Sequence, residues 1–540
     1  MIRKILALVL ALALMTPALA MGEDAAGEVD YGKYDEPVTV SFLTRDFKVE
    51  STEYDVNNPD RKSAHENAWI SAYKDYLNIE VVREIAEDTT ALNARLNTGM
   101  ASADLPDVMI VSKDMFYVLA ENGVLQDLTA TWEGYEQKNL IAKAVDAWNG
   151  CLETGMWEGE LLGFPILTNS FNSSQVLWIR QDWLDQVGMG APTTLDELQA
   201  VAQAFLDAGL GGDNTYAWGS KSDPFAPIFA AYGIPFGVSE GGGCRNVWIE
   251  KEDGSYVFSG VDVDNVKEAL LTMQQMYAAG YLSKDIAVAD TNVITEDMAN
   301  GRIGMVYGEG WLGATDVKTS NVNIADAEWI AVRIPTVTGE DADQWTNATI
   351  GDYVVVNAEC EHPEAIFKMM ELELHMYYEA TDEESQKLYI AEDGYPIWDF
   401  RIFRNQGYPT QDFMRMEEIN AGLDAGLDKV SAFSDASYQR VLKGANGDRT
   451  EVGYYHVFTE AYPILDALNK GGHLIPEYAG PTTENMTLYL NNINEALVSA
   501  MYKVVMGEDI SVYEKAVEQW YATGGQTITD EVNAYYAANK

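Results

Sequence analysis

Residues 90–114 read TALNARLNTGMASADLPDVMIVSKD, and this stretch contains the pattern that decides the fold. Leu92, Leu96 and Met100 recur at helical spacing, which predicts an amphipathic helix over the first half. The turn that follows contains a proline between acidic residues and ends this helix. Residues 108–111 (VMIV) are then entirely apolar, as expected for a short strand buried on both faces of a parallel sheet.

Two further strand patterns precede this unit. Residues 37–43 (PVTVSFL) alternate and are rich in β-branched side chains, and residues 78–85 (NIEVVREI) form the second pattern. Residues 63–76 between them suit a helix. This alternation of strand and helix is typical of an open α/β domain. From about residue 412 the patterns are mainly helical, so we expect a helix-rich C-terminal part.

The length of the chain bounds its organisation. A chain of 540 residues is too long for a single hydrophobic core. It shows no internal repeat and no long low-complexity linker. We therefore expect two interleaved lobes rather than separate domains joined end to end.

The N-terminus is organised as an export signal. Two basic residues precede an apolar run over residues 5–15, and residues 18–20 (ALA) supply the small side chains of a cleavage site. This pattern predicts a signal peptide over residues 1–20, cleaved near Ala20, and a secreted, cell-surface or periplasmic protein. Residues 21–36 are acidic and aperiodic, which predicts a flexible leader.

The net charge excludes some partners. The chain has 85 acidic and 35 basic residues, for a formal net charge of −50. Such a surface repels the phosphate backbone of nucleic acids, so we expect no nucleic-acid partner. The charge does not identify a ligand, because acidic surfaces commonly serve solubility. Local arginine residues could still bind an acidic sugar.

Signatures of metal sites and of catalysis are lacking. Cys151, Cys244 and Cys360 fit neither a disulfide framework nor a metal spacing, and whether two of them are bridged stays open. His65 is not followed by the second histidine of a zinc-protease motif, and no GxSxG elbow or P-loop occurs. The sequence therefore predicts a binding protein and not an enzyme. A secreted polysaccharide-degrading enzyme is the alternative from another class.

Six longer segments occur in a characteristic order along the chain. They are 92–111 (LNARLNTGMASADLPDVMIV), 123–129 (GVLQDLT), 161–198 (from LLGFPILTNS to PTTLDEL), 298–311 (MANGRIGMVYGEGW), 350–370 (IGDYVVVNAECEHPEAIFKMM) and 524–536 (GGQTITDEVNAYY). In this order the chain resembles the extracellular solute-binding proteins of family 1 from ABC importers. Within that family it is similar to the large Gram-positive carbohydrate-binding branch.

The resemblance implies an α/β, two-lobed periplasmic-binding-protein-like fold of type II. Lobe 1 would comprise residues 37–165 with about 328–352, and lobe 2 would comprise residues 166–327 with about 353–540. It further implies a monomer that binds an oligosaccharide between the lobes and delivers it to ABC permease subunits. A non-sugar nutrient, or a signal read by a sensor kinase, is the alternative ligand.

The chain departs from the family pattern in two places. Many relatives carry a lipid-modified cysteine after the signal peptide, whereas residues 20–22 here read AMG, so we expect no lipid anchor. Relatives also often show a calcium loop where this chain has Asp207, Asp213 and Asn214 as its three side-chain candidates. Calcium requires six or more oxygen ligands. We therefore expect no metal and no cofactor, with calcium as the open alternative.

Candidate ligand contacts are polar and aromatic residues near strand ends, where open α/β sheets place their ligands, and in two other places. Those that follow strands are Arg45, Asp114, Glu309 and Trp311. Asp352 and Tyr353 lie at an expected crossing between the lobes, and Tyr395 and Trp398 lie in a turn-rich stretch. Each also has a structural explanation, since a tryptophan can pack under a loop and Asp114 can cap the next helix. Arg180 lies in the segment that resembles the family's crossing strand, and there an interlobe ion pair is favoured over a ligand contact.

Overall fold

Two main β-sheets, each with helices packed against it, form the core of the protein in this computed structural model. The structure describes residues 29–45, 57–147, 151–168, 170–212, 216–221, 223–238, 243–287, 291–347, 350–379, 387–388, 397–404, 410–480 and 482–538. The expected signal peptide, most of the leader and Tyr395 lie outside the described residues.

The strands of the described residues are numbered here in chain order. They are β1 (Val38–Arg45), β2 (Ile79–Ala86), β3 (Val108–Val111), β4 (Met156–Trp157), β5 (Glu160–Leu161), β6 (Phe164–Leu167), β7 (Gln175–Arg180), β8 (Trp218–Ser220), β9 (Trp248–Glu250), β10 (Tyr256–Phe258), β11 (Met305–Glu309), β12 (Trp329–Val332), β13 (Gln344–Thr346), β14 (Ile350–Val356) and β15 (Leu474–Pro476).

The α-helices of the described residues follow the same convention. They are α1 (Ala68–Leu77), α2 (Thr89–Ser102), α3 (Lys113–Glu121), α4 (Thr129–Gly134), α5 (Leu140–Ala147), α6 (Gln181–Val187), α7 (Leu195–Asp207), α8 (Ala226–Ala231), α9 (Val263–Ala278), α10 (Thr291–Ala299), α11 (Asp316–Asn323), α12 (Ala365–Tyr378), α13 (Gln411–Ala425), α14 (Ala432–Ala445), α15 (Val452–His456), α16 (Tyr462–Gly471), α17 (Asn491–Val505), α18 (Ser511–Trp520) and α19 (Gln526–Ala538).

The first sheet has the strand order β2-β1-β3-β14-β6. Strand β1 runs parallel to β2 over its whole length and parallel to β3 on its other side. Strand β14 runs antiparallel to both β3 and β6. The carboxyl ends of β1, β2, β3 and β6 therefore meet at the same edge as the start of β14. This edge is where an open α/β sheet places a ligand.

Helices cover the first sheet because its strands are apolar on the faces that the helices meet. Phe42, Val108 and Val354 from three strands are buried together with Trp69 of α1 and Phe367 of α12. Residues 108–111, predicted as a buried strand, form β3 as expected.

The second sheet has the strand order β12-β7-β11-β8. All six residues of β7 are buried, because helices pack on both faces of this sheet. Helix α7 begins with the predicted capping box, in which Thr194 accepts from the amide of Glu197 and Glu197 accepts from the amide of Thr194. The mixed α/β class expected from the sequence is what the two sheets show.

The pairing of two segments corrects the lobe division expected from the sequence. Strand β12, expected in lobe 1, pairs with β7 in the second sheet. Helix α12, expected in lobe 2, packs in the core of the first sheet, and residues 397–404 lie beside it. The chain thus passes between the sheets after β6, after β12 and again after residue 404. Hydrogen bonds between strands that are distant in the chain decide which segment belongs to which lobe. Local sequence patterns do not predict this pairing.

The C-terminal helices complete the core of the second sheet. Leu497 of α17, Tyr513 of α18 and Val532 of α19 share one buried cluster with Leu270 of α9. The predicted helix-rich C-terminal part is therefore confirmed. All three cysteines are free thiols. Within the described part of the chain, no helix is long and apolar enough to cross a membrane.

Candidate ligand-binding site

A cavity of about 260 Å³ lies at the edge of the first sheet where the carboxyl ends of its parallel strands meet. Strand ends, the start of α2 and the segment 397–404 supply its walls. Its polar lining residues are Thr44, Arg45, Arg83, Thr89, Ser112, Thr168, Asp352, Asp399, Arg401 and Arg404. Two of the nine candidate site residues, Arg45 and Asp352, therefore share one cavity.

Arg45 and Asp352 interact within this cavity. Arg45 ends β1, and its guanidinium donates a hydrogen bond to the hydroxyl of Thr89. Asp352 lies in β14, beside an irregularity in its pairing with β6. Burial raises the pKa of the Asp352 carboxyl, and the positive charge of Arg45 opposes that rise. The cavity thus holds a cation beside a partly desolvated carboxyl group.

Three further arginines line the cavity, and each is held by a neighbour. Arg83 Nε donates to Thr44 Oγ1 at 2.9 Å. Arg401 Nε donates to the carbonyl oxygen of Trp398 at 2.9 Å. The Nη2 atom of Arg404 donates to the carbonyl oxygen of Asp399 at 2.6 Å.

A buried carboxylate lies behind Arg401. Glu373 of α12 is completely buried, and burial raises its pKa, whereas the positive charge of Arg401 opposes that rise. The guanidinium of Arg401 also lies 4.6 Å from the ring centroid of Tyr377. These contacts help to fix the orientation of Arg401.

The structure places two predicted contacts of the first lobe away from the cavity. Tyr353 is 1% exposed and stacks on Phe116 with ring centroids 4.9 Å apart, so it belongs to the core. The prediction that Tyr353 contacts ligand is wrong for this reason. Asp114 is exposed in the first turn of α3, where its charge favours the helix dipole, and Ser112 caps that helix.

Trp398 lies in the segment 397–404, which supplies part of the cavity wall. Trp398 is half-buried in a short 3-10 helix, Ile397–Phe400, and is not among the lining side chains. Its carbonyl oxygen orients Arg401 instead. Tyr395 lies outside the described residues.

Glu309 and Trp311 form a separate polar and aromatic edge on the second lobe. Glu309 is the last residue of β11, and Trp311, two positions later, is 39% exposed. Burial raises the pKa of Glu309, and the positive charge of Lys221 opposes that rise. Lys221 itself pairs with Asp316 at 3.1 Å. Neither Glu309 nor Trp311 lines the cavity of the first lobe.

Arg180 is a core residue of the second lobe. Its side chain is 4% exposed and pairs with Asp182 at 2.5 Å. The guanidinium also lies 4.9 Å from the ring centroid of Trp183 and 5.9 Å from that of Trp329. The predicted interlobe pair is therefore wrong, because Arg180 ends β7 and its partner Asp182 lies in the first turn of α6. Arg180 does not contact the cavity.

A contact between the lobes lies close to the cavity. The ammonium group of Lys113, at the start of α3, donates to the carbonyl oxygens of Ala479 and Gly480, which follow β15. Burial lowers the pKa of Lys113 to about 8. The first-lobe edge is thus joined to the second lobe by a desolvated cation.

Comparison with known proteins identifies the family. The family model described as bacterial extracellular solute-binding protein matches residues 61–372, which is more than half of the chain. The chain belongs to this family. The solute-binding protein is 24% identical over 449 residues to the polygalacturonan/rhamnogalacturonan-binding protein YtcQ of Bacillus subtilis (strain 168). That match covers 81% of this chain and 82% of YtcQ.

Solved structures of similar proteins show the same fold. One is a solute-binding protein of Bifidobacterium longum infantis ATCC 15697 that binds HMO, with a TM-score of 0.59 at 14% identity. Another is the alginate-binding protein AlgQ2 without calcium ion, with a TM-score of 0.56 at 15% identity. In each case the match covers 93% of this chain and 99% of the other. The expected solute-binding fold is therefore confirmed.

Of the three side-chain candidates for a calcium loop, only Asp207 lies among the described residues. Asp207 is exposed at the end of α7, where one carboxylate oxygen accepts from Gln203 at 2.7 Å. Asp213 and Asn214 lie outside the described residues. Over the residues that the structure describes, no group of histidine, cysteine and acidic side chains could hold a metal. The absence of a bound metal stays a prediction.

Several cavity residues of this solute-binding protein were not predicted from the sequence. Arg83 lies within β2 on the same side as Ile79 and Ile85, so a charged residue at an apolar register position was the signal for it. Arg401 and Arg404 follow a turn-rich stretch in which the sequence predicted the aromatic residues instead. Their signal was their spacing, since Arg401 lies three positions after the predicted contact Trp398 and Arg404 three positions after Arg401.

Proposed function

We propose that this solute-binding protein captures an oligosaccharide at the carboxyl edge of its first sheet and delivers it to the permease subunits of an ABC importer. The observation that carries the proposal is the polar cavity that contains Arg45 and Asp352. Family membership supports a binding role. Relatives named for binding polygalacturonan, alginate and HMO support a saccharide ligand.

The size of the cavity bears on the length of the ligand. A volume of about 260 Å³ is below the range of about 300–1,000 Å³ that is usual for complete small-ligand pockets. The cavity therefore holds one end of an oligosaccharide. The remaining sugar units extend towards the second lobe, where Glu309 and Trp311 offer a carboxyl group and an exposed aromatic face.

Closure of the lobes couples binding to delivery. A ligand that touches both lobes shifts the open–closed equilibrium by the difference between its affinities for the two forms. Lys113 contributes to the closed form through its contact with the carbonyl oxygens after β15. The closed surface is the form that a permease recognises.

The protein acts outside the cell and does no chemistry on its ligand. Its family consists of extracellular binding proteins. The export pattern of residues 1–20 and the absence of cysteine at residues 20–22 favour a cleaved, unlipidated chain. We expect it to act as a monomer.

Isothermal titration calorimetry of the mature chain tests the proposal. The panel comprises neutral and acidic oligosaccharides of two to six units, the matching monosaccharides, amino acids and short peptides. We expect an oligosaccharide to bind with a micromolar Kd, about −8 kcal/mol. Asp352→Asn should weaken it about tenfold, whereas Asp530→Asn, an exposed change on α19, should leave it unchanged.

Two results would contradict the proposal. Binding of amino acids or peptides alone would indicate a different nutrient. Release of shorter saccharides from any oligosaccharide in the panel would restore the alternative of a polysaccharide-degrading enzyme, and chromatography of the titrated mixture would detect them.

A further inference from the structure

The cavity differs in charge from the rest of the protein. We propose that the captured oligosaccharide is anionic, an oligouronate whose carboxylates are bound by the arginines of the cavity. This inference rests on the proposed function and adds the chemical class of the ligand. It predicts that the sugar carboxylate, and not only its hydroxyl groups, determines affinity.

The balance of charged groups differs between the whole chain and the cavity lining. Acidic residues outnumber basic ones 85 to 35 over the whole chain. Among the described residues that line the cavity the proportion is reversed, with four arginines against Asp352 and Asp399. Glu373 interacts with Arg401 and offsets one of these charges. The cavity therefore keeps a small excess of positive charge, and a positive excess in a cleft attracts anionic ligands even when the rest of the surface is acidic.

The basic groups of the cavity lining are of a single chemical type. All four basic groups of the lining are guanidinium groups. The guanidinium presents parallel N–H donors that match both oxygens of a carboxylate, whereas an ammonium group acts as a single point of charge. A neutral sugar presents hydroxyl groups, and asparagine, glutamine or aspartate can bind these as well as arginine can. Four guanidinium groups in one cavity therefore favour planar anions.

Three arginines of the cavity are oriented by the protein itself, before a ligand binds. Arg83, Arg401 and Arg404 are each held by hydrogen bonds to oxygen atoms of the protein. Residues 402 and 403 are in turn held through their backbone amides by Tyr73 and Glu373. Less conformational freedom is then lost on binding, so the affinity rises without any additional contact.

The backbone at Arg404 supports the same assignment. Its φ is +51°, in the left-handed region that arginine rarely adopts. A strained conformation of this kind persists only where the surrounding structure imposes it, and such positions concentrate at ligand sites. The strain here turns a cationic side chain into the cavity wall.

A matched pair of ligands tests the inference on the mature chain. α-1,4-Trigalacturonate is compared by calorimetry with its carboxyl-reduced form, which has the same rings and linkages but a hydroxymethyl group for each carboxylate. Trimannuronate with its reduced form, and a sulfated trisaccharide, test other anionic sugars. We expect one uronate trimer to bind at least about tenfold more tightly than its reduced form and than the sulfated sugar.

Variants connect that preference to the cavity. Arg45→Gln and Arg404→Asn should each weaken uronate binding about tenfold and bring it closer to binding of the reduced form. Asparagine is chosen at residue 404 because it tolerates a positive φ. Arg45→Lys keeps the positive charge but loses the paired guanidinium donors. Its affinity for the uronate should lie between those of the native chain and Arg45→Gln. Arg333→Gln removes an exposed arginine that pairs with Asp341 outside the cavity and should change nothing.

Each outcome supports or overturns the inference. Equal or tighter binding of the reduced trimers, or of the sulfated sugar, overturns it and leaves the proposed function intact. A uronate preference that survives both Arg45→Gln and Arg404→Asn overturns the assignment to this cavity. If no oligosaccharide of either kind binds, the proposed function fails as well. Melting temperatures of the variants show whether a weakened affinity reflects misfolding.

Discussion

The hydroxyl of Tyr73 donates a 2.6 Å hydrogen bond to the carboxylate of Glu373, and both side chains are fully buried. The same hydroxyl accepts from the amide of Ile402, and Glu373 accepts from the amide of Phe403, both at 3.1 Å. Helices α1 and α12 thereby fix the segment that carries Arg404 into the cavity. A buried polar pair in the core thus positions the candidate site.

Replacing Tyr73 by phenylalanine should affect both stability and binding. The change removes one donor to Glu373 and leaves the amide of Ile402 without its acceptor. We expect a loss of about 1–3 kcal/mol in the free energy of unfolding and a several-fold weaker Kd for the ligand. Urea unfolding and calorimetry measure the two effects.

Tyr438→Phe is the matched control for that change. The Tyr438 hydroxyl donates to the carbonyl oxygen of Leu427 at 2.7 Å in the second lobe. Its loss should reduce stability without weakening ligand binding. Equal affinities of the Tyr73 and Tyr438 variants would mean that the buried pair does not position the cavity segment.

The buried carboxyl of Asp223 should make stability depend on pH. It accepts from the amides of Phe225 at 2.9 Å, Ala226 at 2.8 Å and Val238 at 3.1 Å, and burial raises its pKa to about 6. Because the folded pKa lies above the unfolded value, the folded state keeps this proton to a higher pH. The contribution to stability is full below the unfolded pKa and falls as pH rises to about 6.

The variant Asp223→Asn isolates this contribution. Asparagine does not titrate, and its amide nitrogen cannot accept from Val238, so it should be less stable than the native chain at pH 4. Between pH 4 and pH 7 the native chain should lose up to about 3 kcal/mol that the variant keeps. Urea unfolding across this range measures the difference, and a difference that stays constant would count against the raised pKa.

Arg180 should matter for stability and not for binding. Arg180→Met leaves the carboxylate of Asp182 without its partner at 2.5 Å and removes the contacts with two tryptophan rings. We expect a loss of about 3 kcal/mol in the free energy of unfolding. The ligand Kd of the folded variant should equal that of the native chain. A selective loss of affinity without destabilisation would restore a ligand role for Arg180.

Trp311 should contribute to binding. Its side chain is 39% exposed, so part of its ring is accessible to a ligand, and Trp311→Ala removes that aromatic face. If its ring contacts the ligand from the second lobe, the change should weaken binding about tenfold. Tyr489→Ala serves as the control because Tyr489 is an aromatic residue of similar exposure, at 40%. Unchanged affinity in the Trp311 variant would exclude a ligand contact.

Local sequence patterns predicted the elements well. Residues 108–111 and the capping box at Thr194 and Glu197 form as predicted, because each depends on side chains only a few positions apart. The family resemblance, spread over segments from 92 to 536, was confirmed by the family match over residues 61–372. The sequence predicts Arg45 as a contact because it follows the first strand pattern, and Asp352 because it lies at an expected crossing between the lobes; both line the same cavity.

Long-range pairing decided the remainder. Asp352 and Tyr353 are adjacent in the chain, yet Asp352 lines the cavity and Tyr353 lies in the core. The reason is that successive side chains of a strand point to opposite faces. Which face would be buried depended on Phe116 of α3, more than 200 positions earlier. Arg83 and Arg401 line the same cavity although they lie more than 300 positions apart, and no local sequence pattern predicts that their segments are neighbours.

The sequence by itself determined the α/β class, the positions of most elements and the acidic character of the surface. The tertiary structure alone decided which lobe receives β12 and α12, and it alone gathered four arginines into one cavity of a chain with a net charge of −50. The physical reason is that periodicity records which side of an element is apolar, whereas the neighbours it meets are selected by pairing and packing across the whole chain.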